Sequence, residues 1–249
     1  MKSTMVLPIT IIFTIIFVQA KAQLITDRPD QTESSTTIPI GSLQLESGIH
    51  LGYEGHTRPS TRQVLLPTIL TRYGMTKWIE IRVLNQFEMI NVGNETFEGI
   101  SDLEVGAKVQ ILKNERFNTE IAFLSQAVLP TGAFGVTGNT YGVSNKLCVS
   151  HSLSTNIGVG YNFGYNYFGM DRGDLTYSLA FGIKINNKVG FYLEPYGEVA
   201  DMNEFVANFD AGFTYLKNEN LQFDFSFGTG INQKMNYLSI GYSWLMQKQ

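Results

Sequence analysis

The sequence predicts an all-β chain, specifically a transmembrane, antiparallel, up-and-down β-barrel of about 12 strands. Three observations lead there. Beyond Leu43 apolar and polar residues alternate with a period of two. The alternating runs are roughly 9–12 residues long, the length a tilted strand needs to cross a bilayer and longer than the usual soluble strand. Tight polar connections also take turns with longer ones along the chain.

The first element, near 43–54, opens the alternation, and runs near 62–73 and 77–88 follow it. In "QVLLPTILTRY" apolar residues occupy both parities and Pro67 cannot donate to a ladder, so the second run is the least regular. The fourth, near 101–112, is clean: in "DLEVGAKVQIL" Leu103, Val105, Ala107, Val109 and Ile111 oppose Asp102, Glu104, Gly106, Lys108 and Gln110. Runs near 117–129 and 140–150 are weaker. The later ones, near 155–165, 174–186, 188–198, 205–216, 220–231 and 236–246, are strong; "LQFDFSFGTG" sets Leu221, Phe223, Phe225 and Phe227 against Gln222, Asp224, Ser226 and Gly228. On a helix this pattern would spread apolar residues around the whole surface, so none is expected.

A secreted β-sandwich would use the same alternation with the greasy face inward. Two features favour the barrel. The polar faces are rich in glycine, which suits a crowded lumen better than a wet outer surface. The connections "GMTK", "KNERF", "HSLST", "INNK" and "KNEN" are short, while "EMINVGNETFEGIS", "LPTGAFGVTGN", "YNYFGMDRGD" and "EVADMNEF" are longer, as in bacterial barrels with short periplasmic turns. Tyr53, Tyr73, Trp78, Phe87, Phe117, Tyr141, Tyr165, Tyr215, Tyr237 and Trp244 lie near the expected interfaces, where amphipathic rings are enriched.

Residues 1–22 read as a cleaved export signal: Lys2, an apolar stretch from Met5 to Val18, then Ala20-Lys21-Ala22. Removing them discards two lysines and no acid, making the formal charge of −4 still more negative. With no basic cluster, a nucleic-acid partner is not expected. Cys148 is the single cysteine, which excludes an internal disulfide framework. The expected location is the outer membrane of a Gram-negative bacterium, with membrane lipids, small solutes and the barrel-assembly machinery as partners.

Between signal and barrel (43–249) lies a leader, 23–42, containing "TDRPDQTES" with Asp27, Arg28, Asp30 and Glu33. These four are candidate plug residues, the leader folding into the periplasmic mouth; a solvated linker is the alternative. Arg62, Arg72 and Arg82 are expected to meet the three acids, and Glu46, Glu80 or Glu104 to meet Arg28. The candidate lumen residues are Glu46, Arg72, Glu80, Arg82, Glu104, Lys108, Lys184, Glu194, Glu198, Asp210 and Asp224. The later strands are net acidic, predicting a weak cation preference.

Catalysis has little to build on. His50, His56 and His151 have no neighbouring nucleophile on a shared strand face, and HExxH, GxSxG and phosphate-loop patterns are absent from the sequence. No catalytic residue, cofactor or metal ligand is assigned. The alternatives to a channel are an adhesive or structural barrel and, more remotely, a barrel lipid hydrolase.

The segments "ITDRPDQTESSTTIPIGSLQLESG", "LPTILTRYGMTKWIEIRV", "GISDLEVGAKVQI" and "LPTG", in this order, resemble the outer-membrane transporter family labelled MetA-pathway phenol-degradation-like. The resemblance spans nearly the whole mature chain. It implies a barrel and passage of small, often hydrophobic, compounds, and carries no catalytic residues.

Overall fold

In the computed structural model, residues 24–55, 59–169 and 172–247 are described, and the export-signal reading lies outside them, as does His56. The elements are β1 (Leu43–Glu54), β2 (Thr61–Gly74), β3 (Ile79–Val92), β4 (Glu95–Ile100), β5 (Leu103–Asn114), β6 (Thr119–Leu129), β7 (Gly142–Ser152), β8 (Ile157–Tyr167), β9 (Asp174–Lys184), β10 (Val189–Ala200), β11 (Glu204–Asn218), β12 (Leu221–Gly230) and β13 (Met235–Met246). All lie in one sheet with antiparallel neighbours. Because β1 pairs with both β2 and β13, the sheet closes on itself and leaves no free edge along its body.

The closed wall has 12 staves, and the extra strand is β4. It extends β3 as a hairpin, from Phe87↔Ile100 to Val92↔Glu95, beyond the point where β5 takes over the pairing at Leu84↔Glu104. This corrects the expected loop "EMINVGNETFEGIS", which is strand on both sides of a tight turn. Gly93, with φ +63°, supplies the left-handed residue that turn needs. The expected loop "EVADMNEF" likewise shortens to residues 201–203 between β10 and β11.

The alternation assigns the faces. Phe223, Phe225 and Phe227 are 42–44% exposed and look outward, whereas Asp224 and Ser226 between them are buried. Packing energy in such a wall comes from lipid contact outside and from polar satisfaction inside, since unpaired polar groups within the bilayer cost several kcal/mol each. The apolar core in the usual sense is tiny: Ala122, Leu124 and Cys148.

Two departures from the pattern matter later. The ladder between β2 and β3 shifts register between Leu65 and Thr68, where Leu66-Pro67 bulges, so that beyond the bulge the inward position falls to Leu65, while Leu70 faces inward in step with Arg72. Tyr237, expected at the membrane interface, is 6% exposed and faces inward with Ser239 and Ser243. Its parity on β13 decides its direction, against the preference of its residue type.

The connections β2–β3, β5–β6, β7–β8, β9–β10 and β11–β12, none longer than four residues, open at one end of the barrel. The longest connection, residues 130–141, opens at the other, together with the short 201–203 and 231–234. There Asp102 of "GISD" accepts hydrogen bonds from the Gly132 amide at 2.8 Å and the Gly138 amide at 2.9 Å. Thus the "GISDLEVGAK" and "LPTG" segments meet, and one carboxylate shapes the longest loop.

Candidate functional site: the occupied lumen

The leader lies inside the barrel and, from Gln31 onward, runs round its inner wall in the direction of falling strand number. Gln222 of β12 donates to Thr26 Oγ1 at 3.1 Å. Arg28 pairs with Asp224 of β12 at 2.9 Å and donates to Ser239 of β13 at 3.0 Å. The Gln31 amide donates to Glu194 of β10 at 2.7 Å, and Thr32 bonds Ser178 of β9 at 2.7 Å. Glu33 exchanges backbone bonds with the Asn162 amide of β8, at 2.6 and 3.1 Å. Ser35 meets Ser150 of β7 at 2.6 Å, and Thr36 donates to Glu120 of β6. The Ile38 amide donates to Glu80 of β3 at 3.0 Å, and the Gly41 amide to the Gly74 carbonyl at 2.7 Å, delivering the chain to β1.

A charge network holds the start of this path. Arg72 forks onto Glu80 with two bonds of 2.9 Å and reaches Glu46 at 2.8 Å and Asp27 at 3.2 Å. Asp27 is also bound by Lys108 at 2.9 Å and by Arg82, which in turn pairs with Glu33 at 2.9 Å. Arg72, Glu80 and Lys108 are fully buried and Arg82 and Glu46 nearly so. Buried charges of this kind persist only when paired and hydrogen-bonded. Burial alone would raise the Asp27 carboxyl; Arg72, Lys108 and Arg82 outweigh it and hold the group well below the usual carboxylate range.

Asp30 has the opposite surroundings. Burial, then the facing Glu194 and Asp210, push its carboxyl well above the ordinary value. Glu194 and Asp210 are direct register partners on β10 and β11, and Tyr237 donates to Asp210 at 2.5 Å. The lumen is therefore polarised across its width, with Arg72, Arg82 and Lys108 on β2, β3 and β5 facing Glu194, Asp210 and Asp224 on β10 to β12.

Of the expected pairings, Asp27 with Arg72 and Arg82, and Glu33 with Arg82, are contacts in the structure. Arg28 goes to Asp224 instead of Glu46, Glu80 or Glu104, because its stretch of leader passes the β12–β13 wall. Arg62 is exposed, near the long-loop end of β2 opposite Tyr53 and Asn91, far along the strand from the leader. Asp30 meets acids and not arginine. Glu104 bonds Gln126 at 3.0 Å, Glu198 lines the long-loop mouth, and Lys184 is exposed at the short-turn mouth, outside the central network. His151, expected in a turn, sits on β7 between Thr119 at 2.9 Å and Tyr161 at 3.1 Å, whereas Ser150 points inward to the leader.

The uncharged anchors Gln31, Thr32, Ser35, Asn162 and Ser178 escaped sequence reasoning, since amides and hydroxyls on lumen faces carry no mark of their partner. One signal was available in glycine. Gly48 and Gly241 are register partners, and a Cβ on Gly48 would stand 2.6 Å from the Arg28 guanidinium, so paired glycines leave the slot in which that side chain lies.

Cys148 reports on this packing. It is fully buried, with register partners Ala122 and Asn162, and so lies between the anchors of Glu33 and Ser35. In detergent micelles its thiol is expected to resist a hydrophilic maleimide in the intact protein and to react once residues 24–35 are deleted, as read by mass shift. Equal protection in both would mean that the leader does not cover it.

Cavities remain around the leader among the described residues. A space of about 440 Å³ opens at the long-loop end, bounded by Gln31, Tyr177, Tyr196 and Glu198 among others. One of about 490 Å³ opens at the short-turn end and is bounded by Thr26, Arg28, Pro29 and Asp30. A smaller one of about 210 Å³ lies inside, against β1 to β3. Residues 28–31 form the partition between the two mouths.

A closed antiparallel barrel, apolar outside and charged within, is the architecture of the outer-membrane β-barrels. A family model described as "Putative MetA-pathway of phenol degradation" matches residues 26–243, and the chain belongs to that family. Among solved structures, an outer membrane channel from Pseudomonas putida F1 is similar with a TM-score of 0.69 at 12% identity, over 85% of this chain and 98% of that one. The NanC porin gives 0.55 at 10% identity, over 80% and 98%. The Ralstonia pickettii toluene transporter TbuX gives 0.50 at 8% identity, over 84% and 90%. No curated protein matches the sequence.

Proposed function

We propose that the protein is an outer-membrane channel for small, largely hydrophobic solutes, with residues 24–38 acting as a plug folded in from the periplasmic side. The observation that carries this reading is the partition: the leader circles the lumen, bonded to eleven of the twelve staves, and leaves a cavity at each mouth. A segment with no role in passage has no need of buried ion pairs at Asp27 and Glu33 with Arg72, Arg82 and Lys108. The short-turn end then faces the periplasm, as in bacterial barrels. The family description and the likeness to channels and porins support transport over adhesion or catalysis. Uptake of a solute panel into proteoliposomes tests it: small apolar solutes are expected to enter faster than into protein-free vesicles, and identical rates would refute the reading.

The Asp30 environment makes the plug sensitive to pH. A carboxyl whose folded value is raised is seated best while neutral, so its contribution is full at low pH and is lost as pH rises through the raised value. Open probability in planar bilayers is expected to increase toward alkaline pH, and Asp30→Asn is expected to flatten that increase. A rise that survives in Asp30→Asn would assign it elsewhere.

A further inference from the structure

The inner cavity of about 210 Å³ is two-sided: the leader's Asp27, Arg28 and Asp30 with Glu46 border one part, and leucines of the wall border another. Leu65 and Leu70 of β2 and Leu84 of β3 turn inward there, Leu70 in step with Arg72, Leu84 in step with Arg82, and Leu65 through the register shift at Leu66-Pro67. Apolar side chains on a lumen face lose contact with lipid and gain nothing from the charge network. They need another apolar surface to cover them. The same cavity is lined by Ser226, fully buried, whose hydroxyl has no hydrogen-bond partner among the described residues. A buried orphan hydroxyl costs the desolvation of that group unless something in the cavity satisfies it.

The cavity also has a doorway. Gln31, His50 and Tyr237 line both it and the long-loop cavity of about 440 Å³. His50 and Tyr237 are stacked with ring centres 4.9 Å apart, a flat-sided frame beside the leader's Pro29. In size, an engineered apolar cavity of about 150 Å³ takes up benzene, so about 210 Å³ holds one six-membered ring with a small substituent.

We infer that this cavity is a binding site for a neutral, single-ring solute carrying one hydroxyl, with the ring against Leu65, Leu70 and Leu84 and the hydroxyl on Ser226. The inference deepens the channel reading and rests on it: the site is where a solute entering past His50 and Tyr237 pauses before the plug.

The test uses the detergent-purified mature chain with p-cresol and toluene as probes, which share the ring and differ at the hydroxyl. Saturable p-cresol binding is expected, about five- to tenfold tighter than toluene, the worth of one hydrogen bond. Ser226→Ala is expected to bring p-cresol down to the toluene affinity without changing toluene. Leu84→Trp, which fills the cavity, is expected to abolish both, with heat-modifiable migration on gels confirming that each variant has folded. Binding of p-cresol that is unsaturable, or unchanged in both variants, would overturn the site. Proteoliposome uptake separates this from failure of the channel reading. Uptake of p-cresol at wild-type rate in both folded variants sinks the site alone, whereas absence of uptake in every protein sinks the channel and the site with it.

Discussion

Deleting residues 24–35 is expected to raise single-channel conductance roughly threefold or more, because a barrel of this strand number encloses room for a small solute once nothing fills it. The leader fills the interior chiefly on the short-turn side, and its contacts are bonds to the wall itself, so its removal joins the space at the two mouths. Selectivity should move as well. The deletion takes away Asp27, Asp30 and Glu33 but only one cation, Arg28, while Arg72, Arg82 and Lys108 stay on the wall. The reversal potential under a salt gradient is therefore expected to shift toward anions relative to the intact protein. Unchanged conductance and unchanged reversal potential would show that the segment does not obstruct the lumen.

The second large effect is expected at Arg72. Its guanidinium serves Glu80, Glu46 and Asp27 together and also donates to the Ile25 carbonyl at 3.0 Å, all out of water. Arg72→Met keeps most of the side-chain volume and leaves those carboxylates without their shared cation. Removing one partner of a buried ion pair costs about 3–5 kcal/mol. Urea unfolding in lipid vesicles, followed by Trp78 and Trp244 fluorescence, measures it. The cost should fall when residues 24–35 are also absent, because Asp27 is then gone and water enters the cluster. Equal costs in the two backgrounds would mean that Arg72 supports the wall alone and not the leader.

Much of this was legible in the sequence because a lipid bilayer is an unforgiving solvent. Most outward positions between strand ends are apolar and backbone polar groups must be paired, so "LQFDFSFGTG" could hardly read otherwise. The expected strand near 43–54 coincides with β1, and 236–246 differs from β13 by one residue at its start. Inside the lumen the constraint relaxes. There a residue's partner depends on the course of the leader through space, which is why Arg28 meets Asp224, 196 positions away in the chain. Tyr237 was misread for a related reason. Its residue type suggests the membrane interface, yet its parity on β13 turns it to the inside. The β3–β4 hairpin was missed because its polar, glycine-containing run matches a loop in composition and a strand only in pairing.

From Gln31 to Gly41 the leader's attachments follow the order of its residues around the wall, and this fixes how it can leave. A tug on the Leu24 end would part Thr26 from Gln222 and Asp27 from its cations first, then Arg28 from Asp224, then Thr32 and Glu33, each in turn like a seam being unpicked. A tug from the Ile38 end instead meets the Gly41–Gly74 clasp and the first stave behind it. Withdrawal is thus a one-ended event belonging to whatever stands on the Leu24 side, while a solute pressing from the opposite mouth loads many fastenings together and moves none of them singly.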